Sequence, residues 1–248
     1  MSSTITVAQI SDSHLKREPG TGEGSPDEML RRAVALVAEA QPDVLLLTGD
    51  IADDGSTEAY ARVAQAVKVL GVPVLATAGN HDDPAAVAEA FGAVDELSIG
   101  GWRVLLFDTT IPKTEHGRIA VADVVRRLGP DNGVPTLLGL HHPPITTSTH
   151  PWMRLEGGSE LVAALTARSD VRVVVSGHLH EAFNAVLGGV SYIGCSSSFY
   201  SIKHRNEQFI LDHGHVGALM LSLASDGDFK WRRLPDPHEV DTVLGPME

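Results

Sequence analysis

Short apolar runs alternate with longer segments of helical period along the first half of the chain. The strand-like runs ITVAQIS, DVLLLTG and VPVLATAG are separated by segments in which apolar residues recur every three or four positions. We predict helices there, one opened by Pro26 and one capped by Ser56, and a third helix that Gly92 closes. The alternation predicts an α/β fold, and by itself it suggests a single doubly wound sheet.

The alternation loosens in the second half of the chain. WRVLLFD, VPTLLGL and VRVVVSG still read as strands, with helical ADVVRRLG and SELVAALTAR between them. Beyond His180, the pieces FNAVLGG, VSYIG, HVGALMLSL and FKWRRL are typical of antiparallel hairpin strands with Gly and Asp turns. We expect one domain over residues 1–234, surface loops over a site at 16–26 and 144–158, and a mobile tail at 235–248.

Composition narrows the class of protein. The 248 residues carry 19 basic and 32 acidic side chains, a net charge of −13, which argues against a nucleic-acid polymer as partner. The apolar runs are strand-sized, far short of the roughly twenty residues that span a bilayer, and the N-terminus lacks the pattern of a signal peptide. The single cysteine, Cys195, fits a reducing compartment. We therefore expect a cytoplasmic protein without a membrane partner.

Potential metal ligands follow the carboxyl ends of five predicted strands. They are Asp12 with His14, Asp50, Asn80 with His81 and Asp82, His141 with His142, and His178 with His180. Each cluster alone is common by chance, but strand ends in an open α/β sheet lie on one side, where these clusters would converge. Imidazole, carboxylate and amide oxygen ligands suit Mn, Fe, Co or Zn, whereas a structural zinc finger would need cysteines. The candidate ligands are too many for one ion.

The run VRVVVSG ends in a glycine and is followed at once by His178 and His180. Side chains at positions i and i+2 of a strand point to the same face, so both rings can reach one side, and we expect the chain to leave the strand there. Gly177 would permit that departure.

These clusters resemble, in order, the five signature blocks of the calcineurin-like metallophosphoesterases. The blocks are DSH at 12–14, GD at 49–50, GNHD at 79–82, HHPP from 141 and GHLH at 177–180. TGDIADDGSTEAY, the FDTT segment at Phe107 and the HHPP block are most similar to the bacterial class III cyclic nucleotide phosphodiesterase and glycerophosphodiesterase group. The resemblance implies a four-layer α-β-β-α sandwich, with two mixed sheets face to face and helices outside, instead of a single doubly wound sheet.

The resemblance also implies roles for the candidate residues. One ion would be held by Asp12, His14 and His180, a second by Asn80, His141 and His178, and Asp50 would bridge the two. His81 resembles the family's catalytic histidine beside the substrate phosphate, and Asp82 would orient it or hold the turn. His142, next to the ligand, and His116, in a loop that could border the pocket, are weaker candidates for contacts with the site or the substrate. The cofactor would be two divalent or mixed-valence ions of Mn, Fe, Zn or Co.

The implied chemistry follows from charge. Two divalent ions, two carboxylates and a bridging hydroxide leave the centre at about plus one, which attracts a phosphodiester monoanion. The expected function is a metal-dependent phosphoric diester hydrolase that acts on a small diester by attack of metal-bound hydroxide, with 3',5'-cyclic AMP or 2',3'-cyclic AMP foremost. A glycerophosphodiesterase, a phosphomonoesterase and a metal-free protein-binding scaffold are the alternatives. Relatives in the resembling group are often dimers, so a homodimer is also expected.

Overall fold

The structure is a computed structural model that describes residues 4–146, 148–205, 208–212, 217–235 and 242–243. The strands are β1 (Thr4–Ile10), β2 (Val44–Thr48), β3 (Val74–Thr77), β4 (Glu96–Ile99), β5 (Trp102–Leu106), β6 (Gly117–Arg118), β7 (Thr136–Gly139), β8 (Leu155–Glu156), β9 (Val171–Ser176), β10 (Phe183–Leu187), β11 (Val190–Gly194), β12 (Ser201–Arg205), β13 (Gln208–Asp212), β14 (Ala218–Ala224), β15 (Phe229–Leu234) and β16 (Thr242–Val243). The helices are α1 (Pro26–Glu39), α2 (Thr57–Val67), α3 (Pro84–Phe91), α4 (Val121–Leu128) and α5 (Gly158–Thr166), with short 3₁₀ turns at Lys68–Leu70 and Pro151–Met153.

Two mixed sheets carry the fold. The first has the order β15-β14-β1-β2-β3 and the second the order β16-β10-β11-β9-β7-β5-β4. Strands β1, β2 and β3 are parallel to one another, as are β5, β7, β9 and β11. The single doubly wound sheet suggested by periodicity alone is therefore wrong, and the two-sheet sandwich implied by the resemblance is confirmed. The physical reason is that β14 returns antiparallel along the free edge of β1, which closes the edge that a doubly wound sheet would extend.

Three apolar layers hold the sheets and helices together. Val7 and Val44 of the first sheet pack with Val104 and Val173 of the second in a layer between the sheets. A second layer joins the first sheet to α1, α2 and α3, and a third joins the second sheet to α4 and α5. The central strands are thus buried on both faces, which is why they read as continuous apolar runs. Each fully buried valine or leucine contributes about 1.5–3 kcal/mol.

Local signals place most helix ends correctly. Pro26 opens α1 behind Ser25, whose hydroxyl accepts a hydrogen bond from the Glu28 N–H, and Gly92 closes α3 with a φ of 88°. Ser56 occupies the N-cap position of α2, as predicted, but its hydroxyl forms no hydrogen bond with the first turn of the helix. Instead, the Ser56 N–H donates to the Asp54 carboxylate at 3.1 Å.

The apolar pattern does not predict β4 or the β12–β13 hairpin. Strand β4 is a half-exposed edge strand of four residues, so its sequence ELSI shows no buried run. The hairpin pairs only with itself, within the residues described, as a separate two-stranded sheet. Weak burial removes the hydrophobic signal on which strand prediction depends.

The predicted tail lies largely outside the described residues. Thr242–Val243 are described, and they pair in parallel with Phe183–Asn184 at the edge of the second sheet. The single-domain boundary at residue 234 therefore stays a prediction. No helix in the described part of the chain is long and apolar enough to cross a membrane.

Candidate metal centre

The loops after β1, β2, β3, β7 and β9 meet at one place between the two sheets. They bring together all seven residues predicted as metal ligands: Asp12, His14, Asp50, Asn80, His141, His178 and His180. Six of the seven are at most 6% exposed, and Asn80 is partly buried. The expected convergence of the strand ends is confirmed, although the strands belong to two sheets instead of one.

The backbone at these strand ends is left-handed at residues other than glycine. The φ values are 56° at Asp12, 46° at His14, 48° at Asp50, 69° at His178 and 53° at His180. Each such residue costs about 1–3 kcal/mol, and residues of this kind cluster at functional sites. The chain therefore turns sharply at each of these residues, and both Asp12 and His14 reach the site.

Gly177 is required for space and not for its backbone freedom. The predicted departure from the strand is made by His178 and His180 themselves, whose φ values are positive, whereas Gly177 has no positive φ. A Cβ at position 177 would lie within 2.7 Å of an Asp12 carboxylate oxygen, too close for any side chain. The glycine therefore lets β9 approach the loop that carries Asp12.

The first ligand group consists of Asp12, His14, Asp50 and His180. The Nε2 atoms of His14 and His180 lie 3.1 Å apart, and His180 Nε2 lies 3.5 Å from Asp12 Oδ1. His14 Nε2 is 3.6 Å from Asp50 Oδ2. Two atoms bound to one ion at about 2.1 Å lie about 3.0–3.4 Å apart. The 3.1 Å between the two histidine nitrogens fits a shared metal ion, and the contacts of 3.5 and 3.6 Å with the carboxylates are slightly longer than this range.

The second ligand group lies on the other side of Asp50. His141 Nε2 is 3.1 Å from Asn80 Oδ1 and 3.4 Å from Asp50 Oδ2. The His178 ring stands 5.0 Å from the His141 ring, centroid to centroid. The same Asp50 oxygen therefore faces both groups, which is the arrangement that two neighbouring ions with one bridging carboxylate require.

Four histidines have one ring nitrogen fixed by an acceptor of the protein. The pairs are His14 Nδ1 with Asp53 Oδ1 at 3.1 Å, His141 Nδ1 with the Thr48 carbonyl at 2.8 Å, His180 Nδ1 with the Tyr200 carbonyl at 2.8 Å, and His178 Nε2 with the Trp152 carbonyl at 3.0 Å. The fixed nitrogen carries the proton, so the other nitrogen keeps a lone pair for a metal ion. The loop at 144–158 thus reaches the site through Trp152, as expected.

The buried charges suit a cation. Burial raises the pKa of Asp12 to about 6, even though His141 acts in the opposite direction. Burial also opposes charge on Asp50, but His141 and His14 hold the pKa of Asp50 well below its usual value. Burial and the charge of His141 lower the pKa of His178 to about 3. Although burial opposes its charge, the Asp50 carboxylate raises the pKa of His141 to about 9. A metal ion would displace that proton and bind neutral imidazole beside ionised carboxylate, a donor set that fits the expected metal pair.

His81 lies at the rim of this cluster. Its main-chain N–H donates to Asp50 Oδ1 at 3.0 Å, and its ring Nδ1 pairs with the Asp53 carbonyl at 3.0 Å. Its side chain is 36% exposed, and its ring meets the His14 ring edge to face at 4.8 Å. The Nε2 atom is therefore the nitrogen left to meet a substrate.

Asp82 holds two loops of the site together. Its carboxylate accepts hydrogen bonds from the N–H groups of Ile51, Ala52 and Gly79 and from the Tyr60 hydroxyl, at 2.9–3.1 Å. These bonds tie the loop after β2 to the loop after β3. Of the two roles that the resemblance left open, these bonds support holding the turn, and the catalytic role of Asp82 stays a prediction.

His142 and His116 both form hydrogen bonds with other residues of the protein. The His142 ring is held at both nitrogens, Nδ1 by Thr109 Oγ1 at 2.8 Å and Nε2 by the Glu115 carbonyl at 3.0 Å. His142 does form a group with His141 and His178 whose ring nitrogens lie close enough to hold a metal ion. Because both of its nitrogens already have partners, it is better placed to support His141 than to bind the ion. His116 Nε2 pairs with Glu156 at 3.2 Å, and the ligand groups found among the described residues do not include it.

Two acidic residues that contact the ligands were missed by the sequence analysis. Asp53 bonds His14, and its position three residues after Asp50 at the same strand end is a signal that could have pointed to it. Glu115 accepts a hydrogen bond from Asn80 Nδ2 at 3.0 Å. Glu115 lies 35 residues from Asn80 in an exposed loop, and no pattern in the sequence marks it.

Comparisons with known proteins agree with this geometry. The family model described as calcineurin-like phosphoesterase matches residues 5–182. A probable cyclic nucleotide phosphodiesterase of Synechococcus sp. is 34% identical over 96% of this chain and 94% of its own length. The 3',5'-cyclic adenosine monophosphate phosphodiesterase CpdA of Pseudomonas aeruginosa is 30% identical over 99% of this chain and 91% of its own.

Solved structures share the fold at lower sequence identity. A dimetal phosphatase from Danio rerio superposes with a TM-score of 0.62 at 13% identity, covering 92% of this chain and 98% of that one. A purple acid phosphatase from yellow lupin superposes with a TM-score of 0.59 at 14% identity, covering 97% of this chain and 53% of that one.

Proposed function

Because the chain belongs to the calcineurin-like phosphoesterase family, we propose that it hydrolyses a cyclic nucleotide at a centre of two metal ions. The leading substrate is 3',5'-cyclic AMP, and 2',3'-cyclic AMP is second. The observation that carries the proposal is the Asp50 carboxylate, whose Oδ2 lies 3.4 Å from His141 Nε2 and 3.6 Å from His14 Nε2. The relatives named as cyclic nucleotide phosphodiesterases support the choice of substrate.

The seven candidate ligands would hold two ions, with Asp50 shared. One ion would be held by Asp12, His14 and His180, and the other by Asn80, His141 and His178. When bound, the ions would supply Lewis acidity toward the phosphoryl oxygens and a nucleophile near neutral pH. Mn, Fe, Zn and Co all suit the imidazole, carboxylate and amide donors, and we propose a pair drawn from these metals.

His81 would act on the substrate as general acid. Its Nδ1 proton is committed to the Asp53 carbonyl, so the imidazolium form carries its transferable proton on Nε2. As the P–O bond to the leaving oxygen breaks, that oxygen takes the electron pair and the proton from Nε2. The hydrogen bond from the main-chain N–H of His81 to Asp50 holds this residue beside the centre.

An aromatic surface beside the centre supports a nucleotide as substrate. Trp152 is 51% exposed, although its own carbonyl bonds His178 inside the site. Its ring stacks on Phe209 at 6.3 Å, which holds the indole in place. Exposed indole at the edge of a phosphate site offers a stacking face to a nucleobase.

Metal analysis together with hydrolysis assays tests the proposal. The purified protein should contain about two metal ions per chain and, with added Mn²⁺, hydrolyse 3',5'-cyclic AMP, 2',3'-cyclic AMP and bis-p-nitrophenyl phosphate faster than the monoester p-nitrophenyl phosphate. Preference for the monoester or for a glycerophosphodiester would select one of the alternative enzymes. Metal-free protein that remains inactive with Mn²⁺ would select the protein-binding scaffold, which the seven filled ligand positions argue against.

The remaining expectations on partners and location stay predictions. A cytoplasmic location is expected from the single cysteine, Cys195, which is buried. A homodimer is expected only by analogy with related enzymes. The acidic net charge of −13 continues to argue against a nucleic-acid polymer as substrate.

A further inference from the structure

Asn80 contacts two different partners with the two ends of its side-chain amide. Its Nδ2 donates a hydrogen bond to Glu115 Oε2 at 3.0 Å, and its Oδ1 lies 3.1 Å from His141 Nε2. An amide oxygen can bind a cation, whereas the amide NH₂ group carries no lone pair for one. The side of the amide that faces the second ligand group therefore decides whether Asn80 can serve as a ligand.

Glu115 settles this orientation. A carboxylate only accepts hydrogen bonds, so it selects the NH₂ end of the amide and turns Oδ1 toward His141. The terminal torsion of asparagine is soft and roughly two-fold, so the amide by itself has little preference between the two orientations. The charge-assisted bond to Glu115 supplies that preference.

The loop that carries Glu115 is anchored to the other side of the same ligand group. The Glu115 carbonyl accepts a hydrogen bond from His142 Nε2 at 3.0 Å, and His142 directly follows His141. His142 Nδ1 pairs in turn with Thr109, near the start of this loop. Glu115 therefore meets Asn80 through its side chain and the neighbour of His141 through its main chain.

We propose that Glu115 is a positioning residue that fixes the amide of Asn80 with its oxygen toward the second metal ion. The inference rests on the proposed two-metal function and deepens it. Its effect is confined to the second ion, because the first ligand group, with Asp12, His14 and His180, lies beyond Asp50. Acceptors that orient a metal ligand typically change metal affinity about 10- to 100-fold.

The test compares three variants of the full-length protein. Glu115→Ala removes the acceptor, and Glu115→Gln keeps an acceptor oxygen without the charge. Glu156→Ala is the matched control. Glu156 is also acidic and pairs with His116, the residue that follows Glu115. Its other ion pairs are with Arg118 and Arg154, which are not among the candidate ligands. Equilibrium dialysis against graded free Mn²⁺, with elemental analysis of the bound metal, gives two dissociation constants for each protein. Circular dichroism melting checks that each variant folds.

Glu115→Ala should weaken the second Mn²⁺ about 10- to 100-fold and leave the first unchanged. At saturating Mn²⁺ its kcat should return to within about threefold of the wild type, since an occupied site restores the ligand. Glu115→Gln, whose amide can donate as well as accept, should weaken the second ion less than Glu115→Ala does, and Glu156→Ala should bind two ions nearly as the wild type does. The inference is overturned if Glu115→Ala binds both ions with wild-type affinity, or if Glu156→Ala weakens the second ion as much as Glu115→Ala does.

Two outcomes separate this inference from the proposed function. If the wild type binds two Mn²⁺ ions and Glu115→Ala loses the second, but no phosphodiester is hydrolysed, the proposed function fails and the positioning role stands. If the wild type hydrolyses cyclic nucleotides and Glu115→Ala keeps both affinities, the positioning role fails and the function stands.

Discussion

The Asp50 carboxylate lies 3.4 Å from Nε2 of His141, although Asp50 follows β2 of the first sheet and His141 follows β7 of the second. The two sheets therefore meet at the candidate centre through charged and polar groups as well as through the apolar layer between them. A metal ion bound here would be held by ligands from both sheets. Metal occupancy should accordingly affect both catalysis and the stability of the sandwich.

Loss of the shared carboxylate should remove both ions. Asp50→Ala deletes the oxygen that faces His14 and His141, so metal content should fall from about two ions per chain to below one. Hydrolysis of bis-p-nitrophenyl phosphate should fall more than about 100-fold. Elemental analysis and the assay check this together, and Asp54→Ala, a change at a nearby exposed carboxylate, serves as control. Full metal content in Asp50→Ala would contradict the bridging role.

His81→Ala should separate turnover from metal binding. Because the His81 side chain contacts Asp53 and faces outward, its loss should leave about two metal ions in place and lower kcat for 3',5'-cyclic AMP about 10²- to 10⁴-fold. The loss should be much smaller for bis-p-nitrophenyl phosphate, whose p-nitrophenolate leaves without a proton. Equal losses on both substrates, or loss of metal, would overturn the general-acid role.

Asp53 should control the first ion through His14. Asp53→Ala removes the acceptor of the His14 Nδ1 proton, so the affinity for the first Mn²⁺ should fall about 10- to 100-fold. Asp53→Asn keeps an acceptor oxygen and should lose less. Equilibrium dialysis of both variants measures the difference. If Asp53→Ala lowered the affinity for the second Mn²⁺ and left that for the first unchanged, Asp53 would not act through His14.

Chelation should destabilise the protein. Five non-glycine residues with positive φ and several buried charges surround the ligand groups, and ligation by metal ions offsets their cost. An ion present at about 100 times its dissociation constant adds about 2.7 kcal/mol of stability. Thermal melting with and without EDTA should show a lower Tm after chelation, restored by added Mn²⁺. An unchanged Tm would mean that the ions do not hold the two sheets together.

Replacement of Trp152 should lower activity on nucleotide substrates and not on substrates that lack a base. Trp152→Ala removes the exposed indole but keeps the main-chain carbonyl that bonds His178, so the metal centre should persist. Loss of stacking should lower kcat/KM for 3',5'-cyclic AMP about 10-fold, and Trp152→Phe should restore most of it. A ribose cyclic phosphate without a base is the control substrate, on which wild type and Trp152→Ala should be equal. A similar loss on that substrate would mean that Trp152 acts through His178.

The ligand positions could be read from the sequence because their signal is local. Asp12, His14 and Asp50 follow apolar runs directly, and the order of the five blocks matches one family. The same locality explains the correct placement of most helices and strands, including the start of α1 at Pro26. The hydrogen-bond partners of Asp82 could not be read in this way, since Asp82 stands inside the GNHD block but forms its hydrogen bonds with residues 51–52, Tyr60 and Gly79.

The sequence by itself determined which residue types follow which strands, because strand periodicity and left-handed turns are properties of neighbouring residues. Only the tertiary structure decided that these strands form two sheets, that Asp50 faces both ligand groups, and that Glu115 holds Asn80. Those relationships join segments far apart in the chain, such as the 35 residues between Asn80 and Glu115. Hydrogen bonds and close approaches of this kind depend on packing between elements, for which a single sequence carries no periodic signal.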